Sequence, residues 1–233
     1  MKTPPFTYIN KKRTYAFKSK EDFLNAIENE KKILVALNAE KLNKSNIELD
    51  QIINDNIGYP DGVGAVWALS RKGLDSVKIA GAEFWLDIIE RYQQTKTFYF
   101  VGGSQEVIEN TILKLKQNFH DIHIKGFRNG FLGKGDKEIL INEIKKCNPD
   151  VIFVAQGTPK QEFLMNELNK EHQALYMGLG GSFDVYTGLK KRAPKLFIKL
   201  GLEWFYRLLI EPTRWRRQLT YFNFAVKVIT NRI

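Results

Sequence analysis

Residues 97–119 read TFYFVGGSQEVIENTILKLKQNF. Thr97 to Val101 are β-branched or aromatic and predict a buried strand; Gly102-Gly103-Ser104 predicts a turn. From Gln105 to Phe119 apolar residues return at helical spacing. A strand that passes through a glycine turn into an amphipathic helix is the repeating unit of a parallel sheet covered by helices on both faces.

The unit recurs on either side. Upstream, a helix capped by Ser19 precedes the apolar run Ile33 to Ala39 (ILVALNA), which reads as a strand. A capping box at Ser45 and Glu48 then predicts a helix towards Asn56. Tyr59-Pro60-Asp61-Gly62 reads as a turn before a short helix, Val63 to Arg71, and Ala82 to Gln94 reads as another helix. Downstream come a strand at Ile122 to Lys125, a helix from about Asp136 to Cys147, and the strand Asp150 to Ala155. Thr158-Pro159-Lys160-Gln161 reads as a helix start, with Thr as N-cap, Pro at the first position and Gln at the third. The fold expected is α/β, a Rossmann-like parallel sheet core with helices on both faces. The first thirty residues are expected to add a strand and a helix packed on it.

Past Gly188 the strand signal stops. Residues 196–228 read as helical, broken at Pro212, so the chain divides into an α/β core at 1–192 and a basic, aromatic helical appendage at 193–233. Charge divides the same way: of the net +10, +9 lies from Lys190 onward, where eleven Lys and Arg face only Glu203 and Glu211. A near-neutral body with such a tail implies an anionic partner for the tail: nucleotide phosphate, lipid head groups or nucleic acid.

The 43% hydrophobic and 27% charged composition excludes global disorder. A single cysteine, Cys147, excludes an intramolecular disulfide and suits a reducing compartment. Met1 to Arg13 has no apolar core of a secretory signal, and no stretch reaches the roughly 18 apolar residues of a spanning helix. The expected location is cytoplasmic, at most on a membrane surface.

Ligands of open parallel sheets sit at the carboxyl ends of strands, where glycine turns feed helix N-termini that favour anions. Gly102-Gly103-Ser104, Gly157-Thr158-Pro159 and Gly178-Leu179-Gly180-Gly181-Ser182 fit that description. None is a dinucleotide fingerprint or a Walker loop, and each alone reads equally well as a plain turn. Asp61 in a Pro-Asp-Gly turn suits either a turn former or a catalytic carboxylate, Gln161 either a capping box or a ligand contact, and Asn38 either a cap or a ligand contact. His120 and His123 have no cysteine partners, which argues against zinc. No Asp-x-Asp pair occurs, so no metal and no cofactor is expected.

In order along the chain stand Asn38-Ala39, Pro60-Asp61-Gly62-Val63-Gly64, Ala80-Gly81, Val101-Gly102-Gly103, Gly157-Thr158-Pro159-Lys160-Gln161-Glu162, Gly178 to Asp184, Gly188, Arg192-Ala193-Pro194, Gly201 to Arg207 and Glu211 to Arg214. This ordered set resembles the WecG/TagA/CpsF glycosyltransferases, over about residues 33–217. The resemblance implies Asp61 as catalytic base. It implies a sugar-nucleotide pocket lined by Asn38, Gly102, Gly103, Thr158, Gln161, Glu162 and Gly180, with Arg207, Arg214 and Arg217 reaching the diphosphate. The implied partners are a UDP-sugar donor, a lipid-linked saccharide acceptor and an anionic membrane surface, without nucleic acid; a homo-oligomer is compatible with all of these. The implied place is the inner face of the cytoplasmic membrane. Ala36 departs from the hydroxyl residue expected two positions before Asn38, which implies altered sugar recognition. A nucleic-acid-binding protein with a basic aromatic tail is the alternative reading.

Overall fold

The computed structural model describes residues 3–191, 193–194, 197, 206, 208 and 215–233, with the backbone alone for 215–218. Six strands form one parallel sheet: β3 (Ile33–Leu37), β4 (Ile57–Pro60), β5 (Thr97–Gly102), β6 (His123–Arg128), β7 (Val151–Ala155) and β8 (Leu175–Gly178). Their spatial order is β4-β3-β8-β7-β5-β6, and every neighbouring pair is parallel. The expected α/β architecture is therefore present.

Strands β3, β5, β7 and β8 are apolar because helices bury both faces, whereas β6 (HIKGFR), at the sheet edge, has no buried residue. In β5, Phe98 and Phe100 join one core cluster while Tyr99 and Val101 join the other; in β7, Phe153 and Ile152 part in the same way. One face is covered by α1 (Lys20–Ile27), α5 (Gly81–Tyr92), α6 (Gln105–Asn118) and α9 (Ser182–Thr187). Its core is an aromatic cluster in which Phe100 stacks on Phe153 and Trp85 meets the same ring edge-on, with ring centres 5.5 Å and 5.8 Å away. The other face carries α2 (Ala39–Asn43), α3 (Ile47–Asp55), α4 (Val63–Arg71), α7 (Asp136–Cys147) and α8 (Lys160–Glu171).

Ahead of the sheet the expected single strand is a hairpin, β1 (Phe6–Ile9) and β2 (Lys12–Tyr15). Asn10 and Lys11 close it with φ of 47° and 66°, the left-handed pair that a two-residue hairpin turn needs. Lysine rarely adopts that conformation, so the turn left little trace in the sequence. β2 is anchored by the buried Lys12, whose ammonium lies 3.2 Å from Asp50 of α3.

Three local expectations are corrected. Asn46, not Ser45, caps α3, its side chain accepting the Leu49 N–H at 2.9 Å. Tyr59 and Pro60 are not turn residues but the end of edge strand β4, where a proline is tolerated because its neighbour lies on one side only. Thr158 does not cap α8; Pro159 occupies that position without a side-chain cap bond, after a cis Thr158–Pro159 peptide.

Of the expected C-terminal helical segment, residues 196–214 lie almost wholly outside the described residues. Its last part is α10 (Trp215–Ile229). Phe224 and Val228 of α10 are buried in the core cluster with α2 and α4. Polar ties fix the helix at both ends: Lys227 donates to Asn43 at 2.8 Å, Asn43 to the Thr220 carbonyl at 3.4 Å, and Arg71 to the Ile229 carbonyl at 3.2 Å. Leu219, Phe222, Val226 and Ile229 form an exposed apolar stripe on the opposite side. No described helix is long and apolar enough to cross a membrane.

Candidate active site

The carboxyl ends of the strands gather the site residues that the sequence singles out. Along the sheet edge stand Asp61 after β4, Asn38 after β3, Gly180 after β8, Thr158, Gln161 and Glu162 after β7, and Gly102-Gly103 at the end of β5. With strands about 4.8 Å apart, Asp61 lies about 14 Å from the β7 turn and about 19 Å from the β5 turn. The first four groups stand on adjacent strands at one end of this edge, and the fifth follows on the next strand.

Asp61 is fixed from two sides. Its backbone N–H donates to the Leu37 carbonyl at 3.0 Å, and one carboxylate oxygen accepts the N–H of Gly81, the first residue of α5, at 2.7 Å. A carboxylate at a helix N-terminus is favoured by the helix dipole. Gly81 is required by space, since a β-carbon there would meet the Tyr59 hydroxyl at 2.6 Å and an Asp61 oxygen at 3.7 Å. Tyr59 is fully buried beneath, and its hydroxyl has no hydrogen-bond partner among the described residues. Burial pushes its pKa well above the usual phenol value, with the negative charges of Asp61 and then Glu162 adding to the effect.

Asn38 caps α2, its side chain accepting the Lys41 N–H at 2.9 Å. Lys41 turns its own side chain across the edge to Glu162, 2.7 Å away and buried. The same Glu162 oxygen accepts from Thr158 at 3.0 Å and from the Gln161 amide at 3.3 Å, whereas the other oxygen is buried without a partner among the described residues. The freed capping role of Gln161 is replaced by a larger one. Its amide oxygen accepts the N–H of Gly157 at 3.2 Å and of Gly180 at 2.8 Å, joining the turns after β7 and β8. Gly178 lets it in: a β-carbon there would lie 2.4 Å from the Gln161 amide nitrogen.

Gly157 and Gly180, both at positive φ, have nothing within 4 Å of where a β-carbon would stand. Gly102 and Gly103 differ. A β-carbon on Gly102 would strike the Ala155 carbonyl at 2.5 Å, one on Gly103 would strike Val107 at 2.7 Å, and Gly130 packs its backbone against the turn. Arg207 and Arg214 lie outside the described residues, and of Arg217 only the backbone is described. Among the described residues, no group of three or more His, Cys, Asp or Glu side chains stands together as metal ligands would. Reading the sequence passed over Lys41 and Tyr59; Lys41 follows Asn38 by three positions, the spacing of a cap and its partner.

A parallel α/β sheet whose carboxyl edge collects a fixed carboxylate, amides and open glycine turns is a framework on which many enzymes bind their ligands. The family model for the glycosyl transferase WecG/TagA/CpsF family matches residues 13–233. The chain belongs to that family, and as a glycosyltransferase it takes a sugar donor and an acceptor. The enzyme reading of the sequence, rather than the nucleic-acid one, is what this membership supports.

Proposed function

We propose that this chain transfers a hexose-type sugar, N-acetylmannosamine or a relative, from a UDP-sugar to an undecaprenyl-diphosphate-linked saccharide in the synthesis of a cell-surface polysaccharide. The reaction inverts the anomeric centre and uses no metal. The observation that carries the reading is the Asp61 carboxylate, held by the Gly81 N–H at the carboxyl edge that also bears the open Gly157 and Gly180 turns. Asp61 takes the proton of the acceptor hydroxyl as that oxygen bonds to the anomeric carbon, and the bond from that carbon to UDP breaks. Positioned general bases contribute roughly 10² to 10⁴ in rate. The growing negative charge on the diphosphate meets the turn amides and the tail arginines Arg207, Arg214 and Arg217. Metal independence is supported by the sequence, which holds no Asp-x-Asp pair.

The C-terminal segment 193–233 brings the enzyme to the cytoplasmic face of the membrane as a peripheral protein. Supporting this are its excess of basic residues and the exposed Leu219, Phe222, Val226 and Ile229 of α10, a combination suited to an anionic lipid surface. A panel of UDP-sugars offered with a lipid-linked N-acetylglucosamine acceptor in excess EDTA is the test. One donor should give a product of inverted anomeric configuration. Transfer only after Mg²⁺ or Mn²⁺ is restored would refute metal independence, and no transfer from any UDP-sugar would refute the donor class.

A further inference from the structure

Glu162 brings a negative charge to the first turn of α8, in a place almost without water: its side chain is 1% exposed and that of its partner Lys41 6%. An uncompensated carboxylate there would oppose any anion approaching the N-terminus of α8. Lys41 offsets that charge. Three donors converge on one Glu162 oxygen, namely Lys41, Thr158 and the Gln161 amide nitrogen. Because the Gln161 nitrogen is drawn to the carboxylate, its amide oxygen faces the other way, towards the N–H groups of Gly157 and Gly180. The Lys41 backbone is in turn held by the Asn38 cap. A chain of hydrogen bonds therefore runs across the carboxyl edge from the β3 turn to the β8 turn, and Lys41 is its link between α2 and α8.

We infer that Lys41 is a positioning residue for the donor nucleotide, acting through Glu162 and Gln161 on the two turns that carry Gly157 and Gly180. This rests on the reading of that edge as the UDP-sugar site. Residues that act in one network give non-additive effects when changed together, and this separates the assignment from its rivals. The affinity for UDP is measured by calorimetry on the full chain for wild type, Lys41→Met, Lys41→Arg, Glu162→Gln and the double variant Lys41→Met/Glu162→Gln, with melting temperatures alongside. Lys41→Met and Glu162→Gln should each weaken UDP binding about tenfold, the double variant no more than either, and Lys41→Arg should recover most of the loss. Losses that multiply to about a hundredfold in the double variant would mean that Lys41 meets the diphosphate itself, against the inference. Lower melting temperatures with unchanged UDP affinity would make the pair structural only, which also overturns it. If Lys41→Met does not fold, the double variant, which buries a neutral pair, decides: wild-type affinity there refutes the role. Wild-type protein that fails to bind UDP overturns both the donor site and this assignment, whereas normal UDP binding with unaffected Lys41 variants overturns this assignment alone.

Discussion

The turn after β5 and the turns after β7 and β8 are alike in sequence, each a glycine-bearing link between an apolar strand and a helix, yet they are opposites in space. At Gly102-Gly103 the missing side chains are replaced by protein: Ala155, Val107 and the backbone of Gly130 fill the room. At Gly157 and Gly180 the room is left open, and the backbone is braced from behind by Gln161. Glycine at a strand end is thus required for two unrelated reasons, close packing and open access. What stands opposite the turn, often far away in sequence, decides which.

Changes on the open side should alter function with the fold intact, and changes on the filled side should do the reverse. The largest effect is expected at Asp61. Asp61→Asn should lower turnover by about a hundredfold or more with an unchanged melting temperature, because size and the Gly81 bond are kept while basicity is lost; steady-state rates with the identified donor measure it. On the filled side, Gly102→Ala forces a methyl group onto the Ala155 carbonyl at a φ of 144°. A stability loss of about 2 kcal/mol is expected in denaturant unfolding, with UDP affinity unchanged in the folded fraction. Gly180→Ala meets no neighbour and carries only the left-handed backbone penalty of about 1 kcal/mol, but its methyl group takes up the open space beside the turn. UDP binding should weaken roughly fivefold; equal affinity would place Gly180 with the packed glycines and erase the contrast.

The smallest effect on the folded protein is expected on α10, where filled and open sides lie back to back. Phe222→Ala should leave the melting temperature within about a degree, since surface substitutions stay within about 0.5 kcal/mol, while reducing co-sedimentation with anionic liposomes. Unaltered co-sedimentation of a Leu219→Ser/Phe222→Ser variant would remove the exposed stripe from membrane binding.

Residues whose reasons are local were legible in the sequence. The helices at Val63–Arg71 and Asp136–Cys147 lie where their periodicity puts them, and β3, β5 and β7 carry the apolar runs that two-sided burial demands, whereas the four-residue β8, ahead of its glycine turn, was hidden. Edge strand β4 was hidden because its four residues end in Pro60 beside Asp61-Gly62, a strong turn signal, and because it pairs on one side only. The cap of α3 was misplaced by one residue among Ser45 and Asn46, both good caps. In the site, Asn38, Asp61 and Gln161 each read equally well as a cap or turn residue, and it was the resemblance to the WecG/TagA/CpsF glycosyltransferases that implied their roles. Lys41 did not stand out, since its partner Glu162 is 121 positions away and no spacing rule reaches that far. Tyr59 was hidden likewise: an aromatic at a strand end reads as core, and only its placement under Asp61 and Gly81 gives its hydroxyl a particular setting.

Helix α2 has only five residues, too few to hold a helical shape unaided. It is kept in form by what leans on it, and Asn43 at its last turn is gripped by Lys227 and by the Thr220 carbonyl of α10. The lever so formed has the C-terminal helix at one arm and the Asn38–Lys41 cap at the other. Any surface that pulls α10 away from its seat should loosen α2 with it, and any surface that presses α10 home should stiffen the cap at Asn38 and Lys41. By thermodynamic reciprocity, a ligand that needs Asn38 and Lys41 in place would in turn hold α10 against the body.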